Sequence, residues 1–376
     1  MDHYGRCVSV HKPIRVVVLY GGRSSEHSIS CLSAVGILRA LDRTRYDVQA
    51  VGITRAGAWV QTSTDPDVVR GDRDQLPEVN PEHPAAYFLP EPMELVSGSA
   101  IDTLMGVIRD VDVVFPVLHG PWGEDGTIQG LLEMAAVPYV GSGVFASAAA
   151  MDKGYMKTLL AAAGLPVGPY RVVLAQDWLS DSSNVRRELS ELGYPLFVKP
   201  ARAGSSVGIT RVVDAADLDA AMTEAIRWDP RVIIESSLAP TREIECGVMT
   251  DGAGLAIASE CAEIVVGNGH DFYDFEAKYL DDAADLIVPA ELPPTVRAEV
   301  HRVAIAAFNA LGCEGLARAD FFVSGDQVMI NEVNTMPGFT PISLFPRMWG
   351  ATGWDYGDLI DHLIQDAMQR GTGLRA

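Results

Sequence analysis

The chain has 376 residues, 48% hydrophobic and 21% charged, with a formal net charge of −21. That length predicts two or three domains of an ordinary soluble globular protein. The acidic balance argues against a nucleic-acid or anionic-membrane partner, whose sites need surplus Lys and Arg; a few clustered lysines could still hold a small phosphate compound.

No stretch reaches the ~18 apolar residues of a spanning helix, and Met1-Asp-His-Tyr-Gly-Arg-Cys7 lacks the apolar centre of a signal peptide. Five cysteines (Cys7, Cys31, Cys246, Cys261, Cys313) are scattered, odd in number and free of any C-x-x-C spacing. That usage predicts buried reduced thiols and a cytoplasmic location. In chain order, Ile14–Tyr20 reads as a buried strand ending in Gly21-Gly22, followed by Ser24-Ser-Glu26-His27 and a helical pattern over Cys31–Leu41. Strand, glycine turn and helix open a parallel α/β sheet. The run Gly21-Gly-Arg-Ser-Ser-Glu26 is not G-x-G-x-x-G, so no dinucleotide site is expected there. Val48–Ile53 is the next strand, residues 62–100 read as surface loop, and Asp112–Leu118 is another buried strand. It leads into His119-Gly-Pro-Trp-Gly-Glu-Asp-Gly126 and a helix over Thr127–Ala136.

A second segment starts with a helix from Met151-Asp-Lys153 to Ala163, preceded by a flexible run of small residues. The strand Tyr194–Pro200 then enters the loop Ala201-Arg-Ala-Gly204-Ser205-Ser206-Val-Gly208, and strand Ile209–Val213, helix Ala215–Arg227 and strand Arg231–Glu235 follow. A third segment holds the strand around Glu243–Val248, an irregular stretch at 266–285, a helix over Val296–Leu311, a hairpin and a last helix near Tyr356–Arg370. The division expected is 1–141, 142–235 and 236–376.

The hairpin carries the most chemistry. Gly315–Val323 and Gln327–Val333 read as strands joined by the turn Ser324-Gly-Asp326. Alternation puts Arg318 and Asp320 on one face, and Glu332 and Asn334 on one face. Two carboxylates and an amide make an all-oxygen set for a hard cation such as Mg²⁺, with a guanidinium beside it for an anion. An ordinary solvent-facing hairpin is the alternative, against which Phe321, Phe322, Val328 and Ile330 are too apolar for a free edge. The loop after Lys199 has the glycines and hydroxyls that let backbone N–H groups approach phosphate, though glycine–serine hairpins are also common without a ligand. Lys153 reads equally as a solvated lysine, and His119 as a structural histidine. Both Glu26 and His119, however, follow strands at the carboxyl edge of the sheet, where α/β folds place ligands. Residues 266–285, with Lys278 and Tyr279, read either as a lid over a site or as a surface loop pinned by aromatics.

Together these motifs resemble the D-alanine–D-alanine ligases of the ATP-grasp superfamily over residues 14–370. The likeness is carried by Gly21-Gly-Arg-Ser-Ser-Glu-His-Ser-Ile-Ser30, His119-Gly-x-x-Gly-Glu-Asp-Gly-x-x-Gln-Gly130, Met151-Asp-Lys153, Val198-Lys-Pro200 with Gly204-Ser-Ser-Val-Gly208, Tyr273-Asp-Phe-x-Ala-Lys-Tyr279, and Asn331-Glu-Val-Asn-Thr-Met-Pro-Gly338. No single motif decides; their order and spacing do.

The resemblance implies an α/β ATP-grasp fold, with an N-terminal parallel sheet domain and two α+β parts sandwiching ATP. Lys153, Lys199 and Lys278 would bind its phosphates, and Ser205 and Ser206 would cover them. Glu235 with Ser236 and Leu238 would read the adenine, and Glu243 the ribose. Asp320, Glu332 and Asn334 would hold two Mg²⁺ ions, with Mn²⁺ as a substitute and a monovalent cation nearby. Glu26 would take the first D-alanine's ammonium, with His119 nearby, and Ser343 and Leu344 the second's carboxylate. Arg318 and the Gly338 N–H would stabilise the oxyanion, while Glu26, Ser205 and Tyr279 would link to clamp the lid. A homodimer is implied as well.

Two departures stand out. Glu235 and Glu243 differ by eight positions where the family usually has seven, and Cys261-Ala-Glu263-Ile264 lacks a glycine often found before Glu-Ile. Tyr279 is typical of dipeptide-forming members; depsipeptide-forming relatives rebuild that lid. The rivals are therefore a ligase using D-lactate or D-serine second, and a nucleotide-binding regulator without catalysis, which would not need the oxyanion donor Arg318.

Overall fold

The computed structural model describes residues 12–72, 75–88, 106–108, 111–204, 207–238, 241–266 and 284–373. Its first part runs Ile14–Gly21 (β1), His27–Ala40 (α1), Tyr46–Ile53 (β2), Trp59–Thr62 (β3), Pro66–Arg70 (α2), Ala86–Phe88 (β4), Gly106–Ile108 (β5), Val113–Pro116 (β6) and Thr127–Met134 (α3). One sheet has the order β3-β2-β1-β6, with β1 parallel to both β2 and β6. The near-continuous apolar run of β1 is buried on both faces, as a central parallel strand requires. It ends at Gly21, at φ +92, where a Cβ would lie 2.3 Å from the Ile53 carbonyl oxygen; only glycine lets the chain turn there into α1.

The second part comprises Val144–Met151 (α4), Lys153–Ala162 (α5), Tyr170–Leu174 (β7), Ala175–Leu189 (α6), Leu196–Pro200 (β8), Thr210–Val212 (β9), Leu218–Trp228 (α7) and Arg231–Ser236 (β10). The sheet β7-β10-β8-β9 is antiparallel. Its core is local: Val198, Val212, Val232 and Ile234 meet Leu218, Met222 and Ala225 of α7.

The third part comprises Arg242–Thr250 (β11), Ala256–Val266 (β12), Ala284–Ile287 (β13), Pro294–Ala310 (α8), Leu316–Ser324 (β14), Gln327–Asn334 (β15), Leu344–Thr352 (α9) and Tyr356–Arg370 (α10). Its sheet has the order β13-β12-β11-β14-β15. Ala317, Ala319, Phe321 and Val323 of β14 pack with Val300, Val303, Ala304 and Ala307 of α8, and Met156 and Leu160 of α5 join this core. The alternate residues of β14 face the other way. The pairing of β15 with β14 shifts between Asp320↔Glu332 and Phe321↔Ile330, leaving Asn331 as an extra residue. This bulge swaps the faces of β15: Val328 and Ile330 before it and Val333 after it all join the core. Without it, Glu332 and Asn334 would share a face with Val328 and Ile330.

Helix α10 crosses back to the first sheet. Its stripe Leu359, Ile360, Leu363, Ile364 and Ala367 shares a core with Val16, Val18 and Tyr20 of β1 and with Phe345 and Trp349 of α9. The Arg45–Asp361 ion pair, at 2.8 Å, and the Gln365 amide donating to Tyr46 Oη at 3.0 Å reinforce that seam.

Several elements depart from the sequence expectations. Residues 62–100 were expected as loop, but they contain α2 and β4. The run before Lys153 is not flexible: it is α4, broken at Asp152. The strands β7 and β12 and the helices α6 and α9 are additions to the elements expected from the sequence. Among the described residues, no helix is long and apolar enough to cross a membrane.

Candidate active site

The three larger sheets, apart from the small parallel pair β4-β5, border one cavity of about 780 Å³, lined by Glu26 and His119 from the first, Lys199 and Glu235 from the second, and Glu243, Glu245, Arg318, Asp320, Glu332 and Asn334 from the third. The bulge at Asn331 brings the hairpin's charged residues to this one face. Register pairs Asp320 with Glu245 on β11 and with Glu332 on β15, so three carboxylates stand in a row across three strands. Directly opposed like charges destabilise a sheet, and cations offset them here. Arg318 donates to both Asp320 oxygens at 2.7 Å, and its Nε lies 3.1 Å from Glu245 Oε2. Asn334 Nδ2 donates to Asp320 at 3.0 Å, and Lys153 Nζ lies 3.3 Å from Glu332. Burial disfavours the Arg318 charge, but Asp320 and Glu245 outweigh it and hold the guanidinium protonated.

Lys153 is placed by the break between α4 and α5. Asp152 caps α5 by accepting from the Gly154 and Tyr155 N–H groups at 3.0 and 3.1 Å, and it is itself held by Arg231 at 2.9 Å. Lys153 Nζ then donates to the Ala203 carbonyl at 3.1 Å, tying the helix to the loop after β8.

On the second sheet, Glu235 sits between two ammonium groups: Lys157 at 2.7 Å and Lys199 at 2.6 Å. Burial pushes its carboxyl up, but the two lysines outweigh it and hold it well below the ordinary glutamate value. Ser236 and Leu238 line the cavity beside it, with Ser236 Oγ donating to the Leu192 carbonyl at 2.9 Å.

At the first sheet, Glu26 precedes α1 and is buried. A Cβ on Gly120 or Gly204 would fall 2.6 or 2.9 Å from its Oε2, so a side chain at either position would displace this carboxylate. His119 Nδ1 contacts the Met336 carbonyl at 3.1 Å and Nε2 contacts Ser33 Oγ at 3.1 Å. Since a carbonyl only accepts, Nδ1 carries the proton and Nε2 accepts from Ser33. Burial lowers the His119 pKa, favouring that neutral form. Glu124 accepts from Gly120 N at 2.6 Å and Met336 N at 3.2 Å. Burial and then the nearby Glu26 push it up to about 8. Gly338, Ser343 and Leu344 line the remaining wall. Ser343 is the residue before α9 and shares a 2.7 Å hydrogen bond with Thr340, so the positive end of that helix faces the cavity.

The structure thus gathers Glu26, His119, Lys153, Lys199, Glu235, Ser236, Leu238, Glu243, Arg318, Asp320, Glu332, Asn334, Gly338, Ser343 and Leu344 around one space. Ser205, Ser206, Lys278 and Tyr279 lie outside the described residues. Sequence reading did not single out Lys157, Glu124 or Glu245. Lys157 had a signal, since it lies one helical turn from Lys153; Glu245 had one in its alternation with Glu243. The oxygen-rich row Glu245–Asp320–Glu332 with the Asn334 amide is chemically suited to a magnesium-class cation, which would relieve the crowding of like charge.

An α/β sheet domain beside two antiparallel sheets that face each other across a lysine- and carboxylate-lined cleft defines the ATP-grasp class. Family models described as "D-ala D-ala ligase N-terminus" and "D-ala D-ala ligase C-terminus" match residues 15–142 and 159–365. A D-alanine--D-alanine ligase of Frankia casuarinae is 53% identical, over 96% of this chain and 98% of its own length. One of Nocardia farcinica is 51% identical, over 96% and 99%. Among solved structures, the D-alanine-D-alanine ligase of Coxiella burnetii is 32% identical with a TM-score of 0.75, covering 95% of this chain and 94% of that one. The VanG D-Ala:D-Ser ligase of Enterococcus faecalis is 31% identical with a TM-score of 0.77, covering 95% and 100%. The chain belongs to the D-alanine–D-alanine ligase family.

Proposed function

We propose that this protein joins two D-alanines into D-alanyl-D-alanine for peptidoglycan synthesis, using ATP through an acyl phosphate. The observation that carries this reading is the placement of Arg318, Asp320, Glu332 and Asn334 on one face of the cleft, opposite Lys199.

A carboxylate is a poor acyl donor in water. In the first step a carboxylate oxygen of the first D-alanine attacks the γ-phosphorus, the bond to ADP breaks, and a good leaving group is in place. Such transfer asks chiefly for positioning and charge neutralisation. Lys153 and Lys199 supply fixed positive charge, and Glu235 holds Lys199 in position. Asp320, Glu332 and Asn334 would hold magnesium, which when bound neutralises triphosphate charge. Glu26 takes the first ammonium beside neutral His119. Ser343 and Leu344, at the positive end of α9, take the second carboxylate. The second amine then attacks the acyl carbon and phosphate leaves. Of the two protons the ammonium sheds, one ends on phosphate and one in solvent. Arg318 and the Gly338 N–H meet the developing oxyanion. Ser236, Leu238 and Glu243 serve the nucleoside end, while Ser205, Ser206, Lys278 and Tyr279 keep the covering and clamping roles that the family resemblance implies.

The reading includes two magnesium ions with Mn²⁺ as a substitute, a nearby monovalent cation, a cytoplasmic homodimer, and a three-part chain divided near 141 and 235. Incubation with ATP, Mg²⁺ and D-alanine should yield phosphate and dipeptide in equal amounts. Ester formation with D-lactate in preference to dipeptide, or ATP binding without any product, would defeat it.

A further inference from the structure

Away from the cleft, the described residues bring together a second group of metal-ligating side chains. Cys246 of β11 and Cys261 of β12, fifteen positions apart in sequence, are direct cross-strand partners. Both are buried free thiols. They belong to the core under α8, so they face away from the cleft. His301 of α8 adds a ring nitrogen, and it and the two Sγ atoms all lie within 4.8 Å of one another.

The polar atoms of this group are poorly satisfied. Cys246 Sγ makes long contacts to the carbonyls of Gly247 and Ser259, at 3.6 and 3.7 Å, and faces the Cys261 thiol. The buried Nε2 of His301 makes no hydrogen bond of normal geometry; the ring lies against the Cys261 thiol instead. A buried ring nitrogen without a partner is costly in a core. The pairing of β11 and β12 also shifts between Cys246 and Val248, and a bulge of this kind re-aims neighbouring side chains. Glu260 adds negative charge beside Cys261 and His301, with Arg297 at 3.5 Å from it.

We propose that Cys246, Cys261 and His301 form a binding site for one soft divalent cation of the zinc class, distinct from the oxygen-lined magnesium-class site in the cleft. Thiolate and imidazole are the ligands such ions select, whereas magnesium prefers oxygen. Zinc–sulfur bonds of ~2.3 Å and zinc–nitrogen bonds of ~2.0 Å set ligand atoms roughly 3.5–3.8 Å apart in a tetrahedron, so a group whose atoms lie within 4.8 Å closes by about 1.3 Å at most. His301 is partly exposed and offers solvent a route to the fourth position. Binding releases the thiol protons to solvent. Glu245, the neighbour of Cys246, points to the opposite face and lies 3.1 Å from Arg318, so the cation would sit directly behind the strand that orients this guanidinium.

The test adds Cd²⁺ alone to the reduced full-length protein, with Mg²⁺ in excess to occupy the cleft carboxylates, and follows thiolate-to-cadmium absorption in the ultraviolet. The expected result is a band that saturates at one equivalent and is competed away by Zn²⁺. It should disappear in Cys246→Ser and Cys261→Ser and persist in Cys7→Ser, Cys31→Ser and Cys313→Ser. His301→Gln, at a partly exposed position, should weaken Cd²⁺ binding by about tenfold or more. If the buried serine variants do not fold, the wild-type stoichiometry and the His301 variant still decide. Absence of a band, a band retained in both site-cysteine variants, unchanged affinity in His301→Gln, or a Cys246–Cys261 disulfide in the protein as purified would each overturn the proposal.

Discussion

The two walls of the cleft solve opposite charge problems. At the second sheet, Lys199 of β8 and Lys157 of the adjoining helix α5 share one carboxylate, Glu235, leaving an excess of one positive charge. At the third sheet, Glu245, Asp320 and Glu332 are met by Arg318 of β14 and by Lys153 from α5, leaving an excess of one negative charge even before Glu243 is counted. One wall is set for a polyanion and the other for a cation that accompanies it. The difference teaches that an acidic protein needs no basic surface to hold a triphosphate; it needs sign separation over one narrow gap, where solvent screening is weak.

Breaking each wall should therefore have a different signature. The largest effect is on folding. Glu235→Gln strands two buried ammonium groups and should cost about 3–5 kcal/mol at pH 7 by denaturant titration. Because the folded carboxyl lies below its ordinary value of 4.5, its stabilisation is present above that pH and is lost as pH falls through the folded value. The gap between wild type and variant should narrow in acid, and a gap that widens there would contradict the clamp. Next, Arg318→Ala should lower kcat by about 10²–10³-fold, the ~2.7–4 kcal/mol of a lost oxyanion donor, with ATP affinity nearly unchanged. Surviving turnover would remove Arg318 from the chemistry. On the same wall, Glu332→Gln should raise the Mg²⁺ concentration for half-maximal activity by about tenfold or more, and chelation of divalent cations should stop turnover in the wild type. An unaltered Mg²⁺ dependence would place the ion elsewhere. The smallest effect belongs to the Glu26 corner. Gly204→Ala puts a Cβ 2.9 Å from Glu26 Oε2 and should raise KM for D-alanine roughly fivefold, about 1 kcal/mol of crowding. A KM equal to wild type would mean that Glu26 does not meet substrate.

Much of this was legible because it is local. The apolar run of β1, the glycine turn at Gly21, the two-residue turn at Gly325-Asp326 and the stripe of α10 are each written within a few residues. Motif order brought the lysines and carboxylates to one reading. What escaped depends on pairing between distant segments. Nothing around Asn331 announces a bulge, yet it decides which way Glu332 and Asn334 point. Glu245 gains its meaning only from lying opposite Asp320. Cys246 and Cys261 look scattered until β11 and β12 zip together. Helix α9 escapes because Pro346 and Gly350, within only nine residues, are poor helix formers.

Helix α10 also constrains how this polypeptide matures. Strands β1, β2 and β6 come off the ribosome early, but Val16, Val18 and Tyr20 share their core with Leu359, Leu363 and Ala367. Until about two hundred and forty residues beyond β6 have been synthesised, that face of the nascent sheet has only Cys31, Ala34, Ile37 and Leu38 of α1 as native cover, and the remainder must be shielded by a chaperone or by transient collapse.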